Sequence, residues 1–335
     1  MICHDGSAWG QEVAEKVHKR FPFGTWLRVA EQESGVTYCG KEMQIKRVES
    51  EVRGTLCQNA FIDGRLQPME LSNERARQPD ARATEVARTD CRSVVGSLQW
   101  LAVQSRPDIA IECNQLQKRI ADLRVADLIR ANKTVREVVR NRLEIEFRPL
   151  GADAELVAYH DAGLYSSIGV EIDEQQCEDV LQRPSDKKLV YSQKGACVGF
   201  VKKGATDQEK HVHLNLIDWK SSTNRRVIES SFAAETHAAI MGHNMSRLAQ
   251  VLLSEIKYGS HVVSAIEDDG WQSLAPVTLV TDCKSIYDTI HKDGQHVWEK
   301  RNIVHAVLMR QLLTTRGREN PNKAKLLWAN WSEDF

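Results

Sequence analysis

No stretch of this sequence approaches the roughly 18–20 consecutive apolar residues that a membrane-spanning helix requires, so no membrane partner is read from it. The opening Met1-Ile2-Cys3-His4-Asp5-Gly6 lacks the basic-then-apolar pattern of a secretory signal and reads as though it starts inside a domain. The cysteines, at 3, 39, 57, 91, 113, 177, 197 and 283, form no CxxC pair and no Cys/His set with zinc-finger spacing. Free thiols in a reducing, intracellular compartment are the expectation, because disulfide scaffolds belong to much shorter secreted chains. There is no Gly-rich phosphate loop and no Ser/His/Asp signature. An excess of one charge is lacking too: the formal net charge is −1, with residues 1–150 at +3 and 151–335 at −4. Charge therefore neither requires nor excludes a nucleic-acid partner, and what matters is where the basic residues cluster.

What is present is ordinary for a globular chain, 41% apolar and 27% charged over 335 residues. That length suits about two domains. Pro149-Leu150-Gly151 marks the boundary, giving residues 1–150 and 151–335. In the first part, Val13 and Val17 recur at helical spacing among charges, and Phe21-Pro22-Phe23-Gly24 breaks that helix. Residues 37–44 and 53–61 read as short strands, and 63–90, with Pro68, Pro79 and many charges, as a linker. A helix capped by Thr89-Asp90 places Val94, Val95, Leu98, Leu101 and Ala102 on one face. Pro107 and Asp108 suit the first turn of the next, over 109–120. A third, over 127–142, sets Leu128, Ala131, Val135 and Val138 against Arg130, Lys133, Arg136, Arg140 and Arg142. That basic face serves either as solvated surface or as a salt-sensitive contact to a phosphate backbone. Residues 143–147 alternate as a strand.

The second part reads β, β, β, α, β, α, α, β. The strands are 156–161, 195–201, 213–219, 277–282 and 323–328; the long helix runs from Ser230 or Ser231 to about 256, with helices at 284–290 and 299–313. Residues 168–188, with six acids, read as an acidic surface insertion. Three consecutive strands followed by crossovers predict an α/β fold with a mixed sheet and helices on its faces.

Three acids stand out. Asp161 and Asp282 end strand-like runs, and Glu235 sits in the first turns of the long helix. Brought together, such carboxylates offer the hard oxygen ligands that suit Mg²⁺ or Mn²⁺, and a pair of such ions activates water and stabilises a departing phosphodiester oxygen. Each acid also has a plain structural use: Asp282 as a cap for the helix after it, Glu235 as a helix-start acid, Asp161 as a turn residue. His237, two residues along a helix from Glu235, points elsewhere.

Several segments resemble, in order, the C-terminal part of the Pol polyprotein of copia-type LTR retrotransposons. Residues 91–102 (CRSVVGSLQWLA) and Arg106-Pro107-Asp108-Ile109-Ala110 are similar to the YRSLVGSLLYLA…RPDIA stretch near the end of its reverse transcriptase. Tyr159-His160-Asp161-Ala162 resembles YSDAD, Trp219-Lys220-Ser221 resembles SWKS, residues 230–235 (SSFAAE) resemble SSTEAE, and Thr281-Asp282-Cys283-Lys284-Ser285 resembles CDNQS, all from the ribonuclease H that follows. The resemblance implies a mainly helical reverse-transcriptase remnant followed by an RNase-H-like domain, cutting the RNA strand of an RNA–DNA hybrid with two Mg²⁺ or Mn²⁺ ions. Asp161, Glu235 and Asp282 fall on its metal-binding acids, and Ser231 and Ser285 beside them become nucleic-acid contacts. A cytoplasmic retroelement particle and the nucleus are both compatible locations. The chain departs from the pattern at Cys283, which replaces an asparagine, and at the fourth acid, where only Glu333 and Asp334 are on offer. Of the polymerase aspartates only His4-Asp5-Gly6 is similar, so polymerase activity is not expected. The alternative is a remnant that only binds nucleic acid, through the basic helix.

Overall fold

The computed structural model describes residues 7–48, 51–151, 154–163, 192–208, 212–224, 228, 230–258, 277–291, 303–313 and 324–329. The acidic stretch 168–188, the His4-Asp5-Gly6 segment and the acids Glu333 and Asp334 lie outside these residues. No helix among the described residues is long and apolar enough to cross a membrane.

The first part pairs a helical layer with a sheet. Helix α1 (Ala8–Arg20) is followed by strands β1 (Val36–Tyr38), β2 (Lys41–Val48) and β3 (Glu51–Cys57), and β4 (Ile145–Phe147) completes an antiparallel sheet in the order β1-β2-β3-β4. The β1–β2 hairpin turns on Cys39 and Gly40, both at positive φ (51° and 73°), as a tight two-residue loop between right-twisted strands demands. The short strands expected over 37–44, 53–61 and 143–147 thus join into a sheet beside the helices of this part. Residues 53–61, expected as one strand, divide at Cys57: α2 (Asn59–Arg65) follows and buries Ile62. The expected linker over 63–90 is largely packed. Leu66 is buried, Met69 and Leu71 pack on the core, and α3 (Asn73–Ala76) and the start of α4 (Glu85–Gln104) lie within it. Thr84, not Thr89, caps α4, its hydroxyl accepting from the Ala87 N–H at 3.3 Å.

Helices α4, α5 (Ala110–Arg119) and α6 (Val125–Arg140) then enclose a core of Val95, Leu98, Leu101, Leu116, Leu128, Val135 and Val138. Their turn holds a buried cation. The Arg106 guanidinium donates to both Asp108 carboxylate oxygens (2.9 and 2.8 Å) and to the Val138 carbonyl (3.3 Å). Asp108 thus serves a buried partner as well as the helix end, because an unpaired guanidinium could not be buried there. Buried Asn132 clamps the 66–71 segment, accepting from Met69 N–H (2.7 Å) and donating to its carbonyl (2.9 Å).

The second part is α/β, with a mixed five-stranded sheet and flanking helices. Strands β5 (Glu155–Gly163), β6 (Gln193–Val201) and β7 (Asn215–Thr223) form an antiparallel meander, α7 (Ala205–Gln208) lying between the last two. Helix α8 (Ser231–Tyr258) then leads to β8 (Val277–Thr281), parallel to β5; α9 (Lys284–His291) and α10 (Ile303–Leu312) lead to β9 (Lys325–Trp328), parallel to β8. The order is β7-β6-β5-β8-β9. At Gly199, where the β6–β7 register shifts, a Cβ would stand 2.6 Å from the Asn215 carbonyl oxygen, so only glycine admits that approach.

Helix α8 crosses the sheet on small residues. Ala234, Ala238 and Ala239 are fully buried, and a Cβ at Gly242 would lie 3.6–3.7 Å from those of His160 and Ala158. These side chains let the helix axis come close to β5, with Leu156, Ala158, Leu279, Ile286, Met309 and Leu326 filling the core around it.

Candidate metal centre

The β5–β8 pairing sets the first two acids. Leu156 faces Val277 and Tyr159 faces Val280, so the same register carried two residues further sets Asp161 beside Asp282. Parallel neighbours lie about 4.8 Å apart, which puts the two carboxylates on one end of adjacent strands. Asp161 is not a turn residue: β5 runs two residues past it, to Gly163. Nor is Asp282 at the capping position of α9, which Cys283 occupies, since the helix starts at Lys284.

Glu235 arrives from the other layer. Ser230 caps α8, its hydroxyl accepting from the Ala233 N–H at 3.2 Å, which leaves Glu235 beyond the first turn and unsuited to a helix-start role. The close helix–sheet approach carries its carboxylate onto β5, where Oε1 accepts the Ala162 N–H at 3.1 Å. A ligand oxygen from each of Asp161, Glu235 and Asp282 then lies within 4.8 Å of the other two.

The electrostatics of this cluster are unfavourable as it stands. Burial, then the Asp161 charge and more weakly the Asp282 charge, push the Glu235 carboxyl up to about 8; the Ala162 N–H pulls the other way. Asp282 is raised in the same direction, by burial and then by Asp161. Glu235 Oε2 is buried and no donor among the described residues reaches it, while a hydrogen bond with the Asp161 carboxyl raises Glu235 further. A buried carboxylate oxygen without a donor is costly, and beside two further acids it is doubly so. A divalent cation would relieve all three conditions at once, since it satisfies carboxylate oxygens and cancels the repulsion among them. The donor set, three carboxylates with no thiolate or imidazole among them, fits a hard cation.

The loop that carries Asp282 is braced. The Trp328 indole N–H donates to the Asp282 carbonyl (3.1 Å), Cys283 N–H to the Thr281 hydroxyl (3.1 Å), and Ala329 N–H to the Thr281 carbonyl (2.9 Å). Cys283 Sγ lies 3.1 Å from the Ser285 hydroxyl. Ser231 and Ser285 are both exposed at the starts of their helices. His160, next to Asp161, is buried with neither ring nitrogen partnered, and burial lowers it to about 4, which keeps it neutral at physiological pH. The His237 ring meets His305 of α10 at a tilt, with centroids 4.6 Å apart.

On α6 the basic residues divide. Lys133, Arg136 and Arg140 are exposed along one stripe. Arg130 is engaged inside the helix layer, donating to both Glu112 oxygens (2.7 and 2.9 Å) and to Gln115, so its guanidinium is not available as the others are. Arg142 pairs with Asp63 at 2.6 Å.

Sequence reasoning did not anticipate a second polar set beside the acids, formed by Lys118, Gln193, Ser221 and Thr223. Lys118 lies 75 residues from Gln193, so no local pattern announces that pair. The described cysteines Cys39, Cys57, Cys91, Cys113, Cys197 and Cys283 are free thiols. No protein-family model matches the chain, and no curated protein matches it.

Proposed function

We propose that the second part of this chain is an RNase-H-like nuclease domain of a copia-type Pol polyprotein, and that it cuts the RNA strand of RNA–DNA hybrids using two Mg²⁺ or Mn²⁺ ions. The observation that carries the reading is the meeting of Asp161, Glu235 and Asp282 from β5, α8 and the end of β8, with a buried Glu235 oxygen that no donor among the described residues reaches. The order of elements, three antiparallel strands, a helix, then two parallel strands, supports it further. Asp161, Glu235 and Asp282 would hold the ions, which supply an activated water and neutralise the charge on the departing oxygen.

The residues of the chain contribute orientation and charge. The Ala162 N–H fixes Glu235 Oε1 and so holds the carboxyl against β5, in the cluster with Asp161 and Asp282. The exposed Asp161 and Asp282 face solvent, where a phosphodiester can approach. Rigid strands and a tightly packed helix hold all three, so little reorganisation is needed when charge builds in the transition state. Glu235 must lose its proton before it can ligate, and burial with the Asp161 and Asp282 charges holds that proton in the metal-free chain, so metal affinity rises with pH.

The test is cleavage of a labelled hybrid by the full chain with Mg²⁺ or Mn²⁺. Cleavage in the RNA strand that is lost in Asp282→Asn supports the reading. Absence of cleavage, or cleavage indifferent to that substitution, removes it. A second reading, binding without turnover, is favoured by the exposed stripe Lys133, Arg136 and Arg140 on α6. It predicts hybrid binding that weakens steeply with salt while no RNA is cut.

A further inference from the structure

A cleft of about 320 Å³ lies between α5 and the second sheet, and Asp161 forms part of its wall. Ala110 and Ile111 of α5 with Trp219 make its apolar side, and Gln193, Lys220 and Ser221 its polar side. Strand pairing sets its floor: Asp161 faces Gly195, and Gly195 faces Ser221 on the next strand. The glycine between them contributes no side chain, so the row from Asp161 to Ser221 is open. Helices α4 and α5 are both tied to this sheet outside the cleft. Trp219 Nε1 donates to the Ala102 carbonyl at 2.6 Å, and the Thr223 hydroxyl donates to Asn114 Oδ1 at 3.2 Å.

A directed chain of hydrogen bonds ends in the cleft. Lys118 Nζ donates to Gln193 Oε1 at 2.9 Å, and Gln193 Nε2 donates to Ser221 Oγ at 2.7 Å. The direction is forced by chemistry. An ammonium has donors only, so it takes the amide oxygen and leaves the amide NH₂ for Ser221. Ser221 must then accept from Gln193, and its one proton points away from that bond. Gln193 is buried, which holds the chain in place.

We infer that Ser221, oriented by Lys118 through Gln193, donates to a backbone phosphate oxygen of a nucleotide flanking the cut, in a subsite whose other wall is α5. Two strand spacings separate Ser221 from Asp161, about 10 Å. That is too far for an oxygen of the reacting phosphate held at the acids, so the oxygen belongs to a neighbouring nucleotide. A phosphate fits the donor because the lysine charge sits one amide away and polarises it. The apolar side suits the carbon face of a ribose. The inference rests on the nuclease reading, and it makes the N-terminal part a contributor to substrate binding.

Steady-state cleavage by the full chain tests it, with Mn²⁺ affinity and thermal midpoint measured beside it. Ser221→Ala is expected to raise KM roughly tenfold, the size of one hydrogen bond to a charged oxygen, with kcat, Mn²⁺ affinity and midpoint little changed. Lys118→Met does the same, Lys118→Arg restores binding, and the double variant with Ser221→Ala is no worse than either single one. A hybrid carrying one neutral methylphosphonate at the flanking position erases the difference between wild type and Ser221→Ala. Cleavage with an unchanged KM in Ser221→Ala, or a defect that persists on every such neutralised hybrid, overturns this inference alone. A hybrid that the wild-type chain neither binds nor cuts overturns the nuclease reading and this inference with it.

Discussion

Replacing Glu235 with glutamine separates a metal ligand from a structural acid. Glutamine keeps an oxygen for the Ala162 N–H and the shape of the side chain, but it removes the charge crowded against Asp161 and Asp282. A free glutamate titrates at 4.5, and in the folded chain burial and those neighbours raise Glu235 to about 8. The folded state therefore binds the proton more tightly than the unfolded state. The stability this contributes is complete below 4.5 and is lost as pH rises toward 8. Over the whole window the loss is roughly 4–5 kcal/mol, and at pH 7 it is already about 3 kcal/mol. Denaturation of the metal-free chain in EDTA, measured from pH 4 to 9, should show stability falling across that window in the wild type and much less in Glu235→Gln. At pH 7 the variant is then the more stable by about 3 kcal/mol, a midpoint gain of several degrees. Added Mn²⁺ should stabilise the wild type and leave the variant unmoved. A wild-type curve that is flat between pH 5 and 8, or a variant that tracks it, refutes the reasoning.

Two further substitutions test the frame that holds the site. Gly199→Ala drives a Cβ to 2.6 Å from the Asn215 carbonyl and into the Leu214 side chain, and should cost about 1–3 kcal/mol in urea denaturation by unseating the β6–β7 bulge; a neutral result would mean that the bulge moves freely. Asp108→Ala leaves the Arg106 guanidinium, 2% exposed, without its bidentate partner. The expected loss is roughly 2–4 kcal/mol, set below the 3–5 kcal/mol of a wholly buried pair because Asp108 is about a third exposed. A loss below 0.5 kcal/mol would show that the pair contributes little.

What could be read before the structure was the identity of elements with strong periodicity and the three acids between them. The long helix α8 and strands β5, β6, β8 and β9 were legible from apolar pattern. The ends of elements were less so. Strand β7 continues to Thr223 through Lys220, Ser221 and Ser222, because an edge strand needs no alternation of apolar residues on its outer side. The run 53–61 looked like one strand because Phe61 at its end is as apolar as Leu56; tertiary burial, not propensity, carries Phe61 into α2. The charges of 63–90 concealed Leu66, Met69 and Leu71, whose packing depends on Asn132 more than 60 residues away. The acids themselves were visible, but their meeting depends on the β5–β8 register and on the small side chains of α8. Both are long-range facts, and local pattern carries neither. The Lys118–Gln193–Ser221 chain was hidden for the same reason.

The most direct measurement is a titration of the full chain with Mn²⁺ at pH 8, read by electron paramagnetic resonance. The account predicts two bound ions per chain, weaker binding as pH falls below the Glu235 titration, and loss of that binding in Glu235→Gln. Mn²⁺ that stays free, or that binds as well to Glu235→Gln as to the wild type, would contradict it.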